Sequence, residues 1–270
     1  MRETNELVTD GKGSPYTLRT YDRYERVIEI RYFNADGTAG TGPEGCSRVA
    51  MDYTSRGQVS LIRYYDEQGK ATTVDGVYGI SSEYNGYGNL QLKTWLNQDG
   101  SPMLNQDGYA SSFYDYDLSN SESVEYYYEY YQAVDGTQKA AKNGAWGVNT
   151  IYYPATHVHE VIYVDKDGEP MMTSDGYSIY EYETDDNENV TWEGYFDTAE
   201  APVNGKDGYS SVEKGYDEAG RLVSERFLDR YNRLTNNKDG IAGWNGYYDE
   251  NGKLVITNRY DKDRNPVTDN

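Results

Sequence analysis

The amino-acid sequence predicts an all-β fold, a β-hairpin solenoid of about eight repeats of about 32 residues each. Three observations predict it. Glycines recur at an almost constant interval, a Tyr-Asp pair opens a turn at the same interval, and short segments of alternating apolar and polar residues separate the turns. No stretch has the apolar spacing that is typical of an amphipathic helix.

Two glycine columns mark turns in each repeat. A glycine at these sites, often preceded by Asp, predicts a backbone turn with positive φ. The neighbouring Asp or Asn side chain is expected to cap this turn. The first column comprises Gly13, Gly45, Gly76, Gly108, Gly144, Gly176, Gly208 and Gly240, with steps of 32, 31, 32, 36, 32, 32 and 32 residues. The second column comprises Gly37, Gly69, Gly100, Gly136 and Gly168, and it continues at the same spacing as Glu200, Asn232 and Arg264.

A third column opens the turn of the predicted hairpin and has the pattern YDxxG. The segments "SSVEKGYD" and "RLVSERFLD", residues 210–217 and 221–229, lead into and out of one such turn. Their β-prone composition predicts the two arms of a hairpin. The column comprises Tyr21, Tyr53, Tyr84, Tyr116, Tyr152, Thr184, Tyr216 and Tyr248. Proline follows the second glycine column in several repeats, which predicts an edge or connecting strand there.

Burial must rest on tyrosine, because the chain has 31 tyrosines and only 4 phenylalanines. A unit of this length cannot bury a face alone, so we expect stacked copies to share one ladder of aromatic rings. The expected rings are Tyr32, Tyr64, Trp95, Tyr131, Tyr163, Tyr195 and Phe227. A closed propeller is the alternative fold, but its blades are usually longer than this repeat.

The repeats predict a single repeat domain over residues 1–270. The sequence begins in the second half of a unit, at "TDGKGSPYTLRTYD", and ends at "NPVTDN" just before the next glycine of the column would fall. Neither end departs from the repeat as a capping unit would. We therefore expect the chain to be a segment of a longer array, with neighbouring domains of the same protein as partners.

Composition excludes several classes of function. A formal net charge of −21 argues against nucleic acid and against anionic membrane surfaces as partners. No segment is long and apolar enough for a transmembrane helix or for the core of a signal peptide, so no membrane insertion is expected. A lone cysteine, Cys46, excludes an internal disulfide framework.

No pattern in the sequence predicts catalysis, a cofactor or a metal site. Acidic pairs such as Asp165 with Asp167 recur at turn positions, where capping explains them. The "DG" turns lack the distal glutamate of an EF-hand calcium loop. On a strand His157 and His159 would share a face, but no further ligand is near them, and a variant "YPATH" hairpin turn is the simpler interpretation. We expect a non-enzymatic protein without cofactors.

Aromatic residues outside the expected ladder are the candidate ligand-binding residues. Trp146, Trp192, Trp244 and Tyr180 vary from repeat to repeat, so packing of the common core does not require them. Exposed flat rings can bind the apolar faces of sugars. We therefore predict these four residues as a binding set, with packing or a protein interface as the alternative roles.

The segments "RYYDEQGKATTVDGVYG" and "YYDENGKL", residues 63–79 and 247–254, resemble the Tyr- and Gly-rich hairpin repeats of bacterial cell-wall-binding proteins. These include choline-binding modules and the glucan-binding repeats of clostridial toxins and streptococcal glucosyltransferases; the YD repeats of Rhs proteins are less similar. The present period is longer, and their Gly-Trp pair occurs only within "AGW", residues 242–244. The resemblance implies a module of a larger bacterial surface protein, located at the cell surface or outside the cell. Its implied partner is a polysaccharide, teichoic acid or similar polymer, and choline is not expected.

Together these observations predict a non-catalytic module that binds a repetitive glycan or cell-envelope polymer through many weak contacts. Two alternatives remain open at this point. The chain is either a structural spacer or adhesion stalk that binds nothing specific, or a protein-interaction solenoid without a glycan ligand.

Overall fold

The computed structural model describes the backbone of residues 16–116 and 125–268 and the side chains of residues 16–116 and 127–268. This part of the chain is all-β, with sixteen hairpin-linked strands and no helix, so the predicted all-β class is confirmed and the solenoid stays a prediction. It therefore contains no helix that could span a membrane. The predicted turns at Gly13 and directly after Tyr116, and the last two residues of the chain, lie outside the described residues.

The strands form eight hairpins with a uniform plan, a first arm of six or seven residues and a second arm of seven or eight. The first four hairpins are β1 (Tyr16–Tyr21) with β2 (Val27–Phe33), β3 (Arg48–Tyr53) with β4 (Val59–Tyr65), β5 (Gly79–Tyr84) with β6 (Leu90–Leu96), and β7 (Ser111–Tyr116) with β8 (Glu125–Gln132). The last four are β9 (Gly147–Tyr153) with β10 (Val158–Val164), β11 (Ile179–Thr184) with β12 (Val190–Phe196), β13 (Ser211–Tyr216) with β14 (Leu222–Leu228), and β15 (Gly243–Tyr248) with β16 (Leu254–Tyr260).

The chain divides into two compact units that are described separately. Unit 1 holds the described residues up to Tyr114 together with residues 130–141, and unit 2 holds residues 115–129 and those from 142 onward. Within each unit the strands are hydrogen-bonded in chain order, and the strand pairs with a described register are antiparallel. Both units carry the same repeat, and the single-domain interpretation stays a prediction.

Most described repeats contain three turns with the same backbone bonds: the hairpin turn, a second turn after the hairpin, and a third turn before the next strand. The turns at residues 74–77 and 153–157 have other backbone bonds. In the first hairpin turn the N–H of Asp22 donates to Arg26 O at 2.9 Å and the N–H of Glu25 donates to Asp22 O at 3.2 Å. The Asp22 carboxylate accepts from the N–H of Tyr24 at 2.8 Å. The backbone bonds recur in the second turn at residues 34–38 and in the third turn at residues 42–46. In the second turn the cap comes from Asp36, whose carboxylate accepts from the N–H of Thr38 at 2.9 Å. The predicted capping role of Asp and Asn is confirmed.

The second turn keeps its backbone after its glycine has been lost. Gly37 and Gly168 have φ of +82° and +86°, and Glu200, Asn232 and Arg264 at the same position have +61°, +59° and +67°. The left-handed conformation costs an L-residue about 1–2 kcal/mol. The surrounding hydrogen bonds therefore impose this conformation even where the sequence does not favour it.

The chain between the second and third turns folds over one side of the sheet, which we call the ring face. The N–H of Gly40 donates to Tyr32 O at 3.0 Å, and a Cβ on Gly42 would lie 2.3 Å from the Tyr32 ring. The returning chain therefore covers the Tyr32 side chain, which is 4% exposed. Prolines at the return form one-residue bridges, as predicted for an edge position: Pro102, Pro170, Pro202 and Pro266.

The expected ring ladder is present in both units, and the third turns add three rings to it among the described residues: Tyr109, Tyr177 and Tyr209. Residues of the third turn alternate with the predicted rings. Tyr109 lies 5.2 Å from Trp95 and 4.1 Å from Tyr131, and in unit 2 Tyr177 lies 5.7 Å from Tyr163 and 4.7 Å from Tyr195. A ring such as Tyr195 thus packs between the third turns on either side of it.

Two pairs of ladder tyrosines in unit 2 satisfy each other's hydroxyls. Tyr163 donates a hydrogen bond to Tyr177, and Tyr195 donates one to Tyr209. Burial, the largest cause, raises the pKa of Tyr195 well above its ordinary value. These pairs allow tyrosine to fill a core position without an unsatisfied polar group.

The tyrosine of the YDxxG pattern joins one hairpin to the preceding one. Tyr53 Oη donates to Val27 O at 2.6 Å, and Tyr216 Oη donates to Val190 O at 2.8 Å. Where this tyrosine is replaced, Thr184 donates to His157 O through its backbone N–H at 3.1 Å. The column therefore has a structural role in stacking the repeats.

The ring ladder predicts a large loss of stability when one of its rings is removed. Phe227 is 7% exposed and lies 4.8 Å from Tyr209. We expect Phe227→Ala to lower the free energy of unfolding by about 3–5 kcal/mol, since it leaves a cavity between two third turns. Tyr231→Ala in the same repeat removes a ring that is 62% exposed and should change stability by less than about 0.5 kcal/mol. Denaturant unfolding measures both, and equal effects would contradict a ladder core.

The strained second turn predicts a stabilising substitution. Glu200→Gly should raise the free energy of unfolding by about 0.5–1 kcal/mol, because relief of the left-handed strain exceeds the added chain entropy. Glu200→Gln controls for the loss of charge and should have a smaller effect. Gly168→Ala at the same position of the preceding repeat should destabilise the protein by about 1 kcal/mol. A destabilised Glu200→Gly variant would contradict the strain argument.

Candidate functional site

The four predicted binding residues all lie in unit 2 and are partly exposed, but they do not form one surface. Tyr180 pairs with the ladder residue Tyr195 across β11 and β12, so it lies on the ring face. Trp244 pairs with Glu225, two residues before Phe227, and lies on the same face. Trp192 precedes Tyr195 by three residues and lies on the opposite face.

Tyr180 is held on both sides by other rings. Its ring stacks on Tyr182 at 5.5 Å and on Tyr195 at 5.8 Å. Its hydroxyl donates to Glu193, whose carboxylate also pairs with the ammonium of Lys214. Burial is the largest cause that raises the pKa of Tyr180 above its ordinary value. Tyr180 can therefore contact a ligand with its ring edge and hydroxyl, but not with a ring face.

Trp244 occupies the same repeat position as Tyr180. Its Nε1 donates to Glu225 Oε2 at 2.7 Å, which fixes the indole over β14. Other repeats place Val49, Val148 and Val212 at this position, each less than 8% exposed. The position therefore belongs to the core of the ring face, and its larger residues in two repeats extend that core outward.

Trp192 has the geometry of a platform. Its six-membered ring occupies the space above Gly194, where a Cβ would lie 2.2 Å from the Cη2 atom of the indole. Glu183 and Glu213 are its partners on the two neighbouring strands. Glu213 is oriented by Arg226, with 2.6 Å between guanidinium and carboxylate. A partly exposed indole flanked by carboxylates combines an apolar floor with hydrogen-bond acceptors.

Trp146 lies in the third-turn connection directly before β9. Its backbone N–H donates to Val164 O at 2.8 Å, and its side chain is partly exposed. Equivalent residues in other repeats include Tyr78, Ala110 and Ser178. The structure thus separates Trp146 from the strand positions of the other three predicted residues.

The histidines do not share a strand face, which corrects the sequence-based geometry. His157 has φ of +56° and lies in the hairpin turn, because the "YPATH" segment replaces YDxxG. His159 lies on β10 between Tyr152 and Tyr182, with ring centroids 4.3 and 4.4 Å away. Among the described residues no group of three or more His, Cys, Asp or Glu is placed to hold a metal ion. Burial raises the pKa of the Cys46 thiol to about 11, so it is mostly protonated at neutral pH.

Two cavities in unit 1 occupy the same place in consecutive repeats. They lie beside the second turn, on the face opposite the ring ladder. The first has a volume of about 230 Å³ and is lined by Arg31, Phe33, Ala39, Arg48, Asp66 and Glu67, among others. The second has about 370 Å³ and is lined by Arg63, Tyr65, Ala71, Gly79, Asn97 and Gln98, among others. Each residue of the second set follows its counterpart by 31 or 32 positions.

A third cavity of about 280 Å³ opens on the ring face of unit 1. Trp95 and Tyr64 form its aromatic wall, and Asp75, Asn105 and Gln106 contribute polar side chains from two third turns. The ammonium of Lys93 lies 5.2 Å from the centre of the Trp95 ring. Sequence reasoning missed all three cavities, although the recurrence of polar residues at the second and third turns is a signal that marks their rims.

The fold and these surfaces define a tyrosine-rich β-hairpin repeat protein with repeated aromatic and polar clefts. No model of a known protein family matches the chain, and a search of curated proteins finds no significant match. The resemblance to cell-wall-binding and glucan-binding repeats therefore stays a hypothesis, and the function must be argued from the geometry.

Two carboxylates near the Trp192 surface predict a pH-dependent stability. Glu160 and Glu181 are directly opposite on β10 and β11. Burial, followed by the charge of Glu160, raises the pKa of Glu181. The pKa of this carboxyl is higher in the folded state than in the unfolded state, where it is about 4.3. Protonation therefore stabilises the fold at a pH below about 4.3, and this stabilisation is lost as the pH rises through the folded-state pKa.

We therefore expect Glu181→Gln to raise the free energy of unfolding at pH 7 by a few tenths of a kcal/mol, because like charges on opposed residues repel. The difference from the unaltered chain should disappear near pH 4. Thermal unfolding at several pH values measures it. Glu213→Gln, which removes the partner of Arg226, should destabilise at pH 7 and serves as the opposite control.

Proposed function

We propose that this chain is a non-catalytic β-hairpin solenoid that binds a repetitive glycan of the cell envelope, as part of a larger bacterial surface protein. One observation carries the proposal: the same cleft recurs in consecutive repeats of unit 1, with counterpart residues 31 or 32 positions apart. Clefts that recur at each repeat suit a polymer whose sugar units also recur at a regular interval.

The spacing of the clefts supports a polymeric ligand. Neighbouring strands lie about 4.8 Å apart, so two strands per repeat place equivalent clefts about 10 Å apart. This is the length scale of a disaccharide in an extended polysaccharide. A polymer that occupies one cleft brings its next unit to the following cleft at high effective concentration, so several weak contacts act as one stronger contact.

The residues around the clefts and around Trp192 have the chemistry that sugars require. Tyr65 and Tyr78 line the larger cleft beside Asn97 and Gln98, and Trp192 lies between two glutamates. Aromatic rings contact the apolar face of a sugar, while amides and carboxylates bond its hydroxyls. Such a mixture of apolar surface and few polar groups is typical of small-molecule sites.

The charge of the chain favours an uncharged polysaccharide among the candidate polymers. The formal net charge is −21, and the cations at the clefts are already paired. Arg48 and Arg31 share the carboxylate of Glu29, and Arg63 pairs with Asp52 at 2.6 Å. A phosphate-bearing teichoic acid would therefore meet both general repulsion and the cost of breaking these pairs.

The acidic residues support a binding function without catalysis. Asp165 Oδ1 accepts from the N–H groups of Asp167 and Glu169 at 2.9 and 3.1 Å, so it caps the second turn. The same contacts recur at Asp66, Asp197 and Asp261. A carboxylate that repeats in this structural role is a poor candidate for a unique acid or base.

Removal of the Trp192 platform tests the proposal. A glycan array first identifies a retained polysaccharide, and affinity electrophoresis in that polysaccharide then compares variants. Trp192→Ala should weaken retention at least threefold, with a smaller stability loss than Phe227→Ala, because the indole is partly exposed. Tyr87→Ala removes a ring that is 84% exposed in a hairpin turn and should leave retention unchanged.

Because Tyr180 and Trp244 belong to the ring-face core, the joint variant at Trp146 and Trp192 gives the decisive comparison. Retention equal to that of the unaltered chain would contradict the stacking platform. The absence of any retained polysaccharide on the array would favour the spacer or the protein-interaction alternative.

A further inference from the structure

One repeat position controls the shape of the recurring cleft. In the first cleft this position is Arg48, whose guanidinium lies 3.7 Å from the centre of the Tyr65 ring. In the last repeat the position is Gly243, and the ring of Tyr260 fills the space above it, since a Cβ there would lie 2.3 Å from the Tyr260 hydroxyl oxygen. In both repeats a planar group of the protein itself takes up part of this space, and the first cleft keeps a volume of about 230 Å³ beside it.

The repeat that contains Gly79 leaves the same space open. Its cross-strand partner is Leu96, which brings no planar group, and the cleft enlarges from about 230 to about 370 Å³. A Cβ on Gly79 would lie 2.4 Å from Ile62 O, so close packing of the backbone excludes a side chain here. The opening is therefore a fixed feature of this repeat.

We propose that the cleft over Gly79, here called the Gly79 pocket, receives one ring of an uncharged saccharide, and this assignment rests on the proposed function. The ring would occupy the place that a guanidinium or a phenol takes in the sister repeats. Leu61, Leu96 and Tyr65 give the pocket apolar walls, and Arg63, Asn97 and Gln98 surround its rim with hydrogen-bond donors. Its volume lies within the range of about 300–1,000 Å³ that is usual for small-molecule sites.

A matched pair of substitutions tests the pocket. Ala71 lines the Gly79 pocket and Ala39 lines the smaller cleft at the equivalent position, where a later repeat carries Leu234. Leucine is therefore compatible with the fold at this site. Ala71→Leu should fill the pocket, whereas Ala39→Leu affects a cleft that Arg48 already narrows.

The probes are cello-, malto- and chito-oligosaccharides, with binding to the full chain measured by saturation-transfer NMR and titration calorimetry. We expect Ala71→Leu to weaken binding of the recognised series at least tenfold and Ala39→Leu to change it less than twofold. Arg48→Ser, which introduces the residue found at this position in two other repeats, should open the first cleft and strengthen binding at least twofold. If Ala71→Leu unfolds the chain, the Arg48→Ser variant still tests whether an open cleft binds the sugar.

Several results would overturn the assignment. If a folded Ala71→Leu variant binds the oligosaccharides unchanged, the Gly79 pocket is not their binding site, while the proposed function stands. Equal losses of affinity in Ala71→Leu and Ala39→Leu would show that the Gly79 pocket binds sugar no better than the smaller cleft does. If no oligosaccharide and no polysaccharide bind, both the pocket and the proposed function fail. Self-association that Ala71→Leu abolishes, without sugar binding, would assign the pocket to a side chain of a second copy.

Discussion

Each repeat depends on the contact between the ring of one hairpin and the third turns on either side of it. Tyr195 lies 4.7 Å from Tyr177 of the preceding turn and 5.8 Å from Tyr209 of the following turn. A hairpin with its own turn covers only one side of this ring, so a single unit has no closed core. The turn hydrogen bonds and the Tyr53-type contacts between hairpins keep this packing in register from one repeat to the next.

This contact also explains the composition. A layer of returning loops over one sheet is thin, and few of its positions are far from water. Phenylalanine would suit a deeper core, whereas the tyrosine hydroxyl can reach a partner at the margin of this one. The bonds from Tyr163 to Tyr177 and from Tyr195 to Tyr209 show how two adjacent rings satisfy each other. The many tyrosines are thus a structural requirement of the repeat before any of them contributes to binding.

The sequence predicted the period, the turns, the fold class and the column rings, because each depends on local spacing. It did not predict that Tyr109, Tyr177 and Tyr209 join the ladder, since their place depends on how the loop returns. It also did not separate Trp192 from Trp244. The register shifts by one residue at most hairpin turns, for example between Glu183 and Thr184, so alternation counted from the turn assigns the wrong face. The Gly79 pocket depends on residues of three strands and on the second turn, so sequence spacing alone does not show it.

The loops of unit 2 also touch one another across repeats. Lys206 pairs with Asp175 at 2.6 Å and Lys238 with Asp207 at 2.8 Å, in each case 31 residues away. In such a stack the strands run across the direction in which repeats are added, so tension along that direction loads the inter-strand hydrogen bonds one row at a time. Each hairpin contacts only its neighbours, so a unit built this way can lose a terminal hairpin and re-form it on the strands that remain. Stability along the stack is therefore approximately a sum of repeat and interface terms, with the terminal hairpins the first to open.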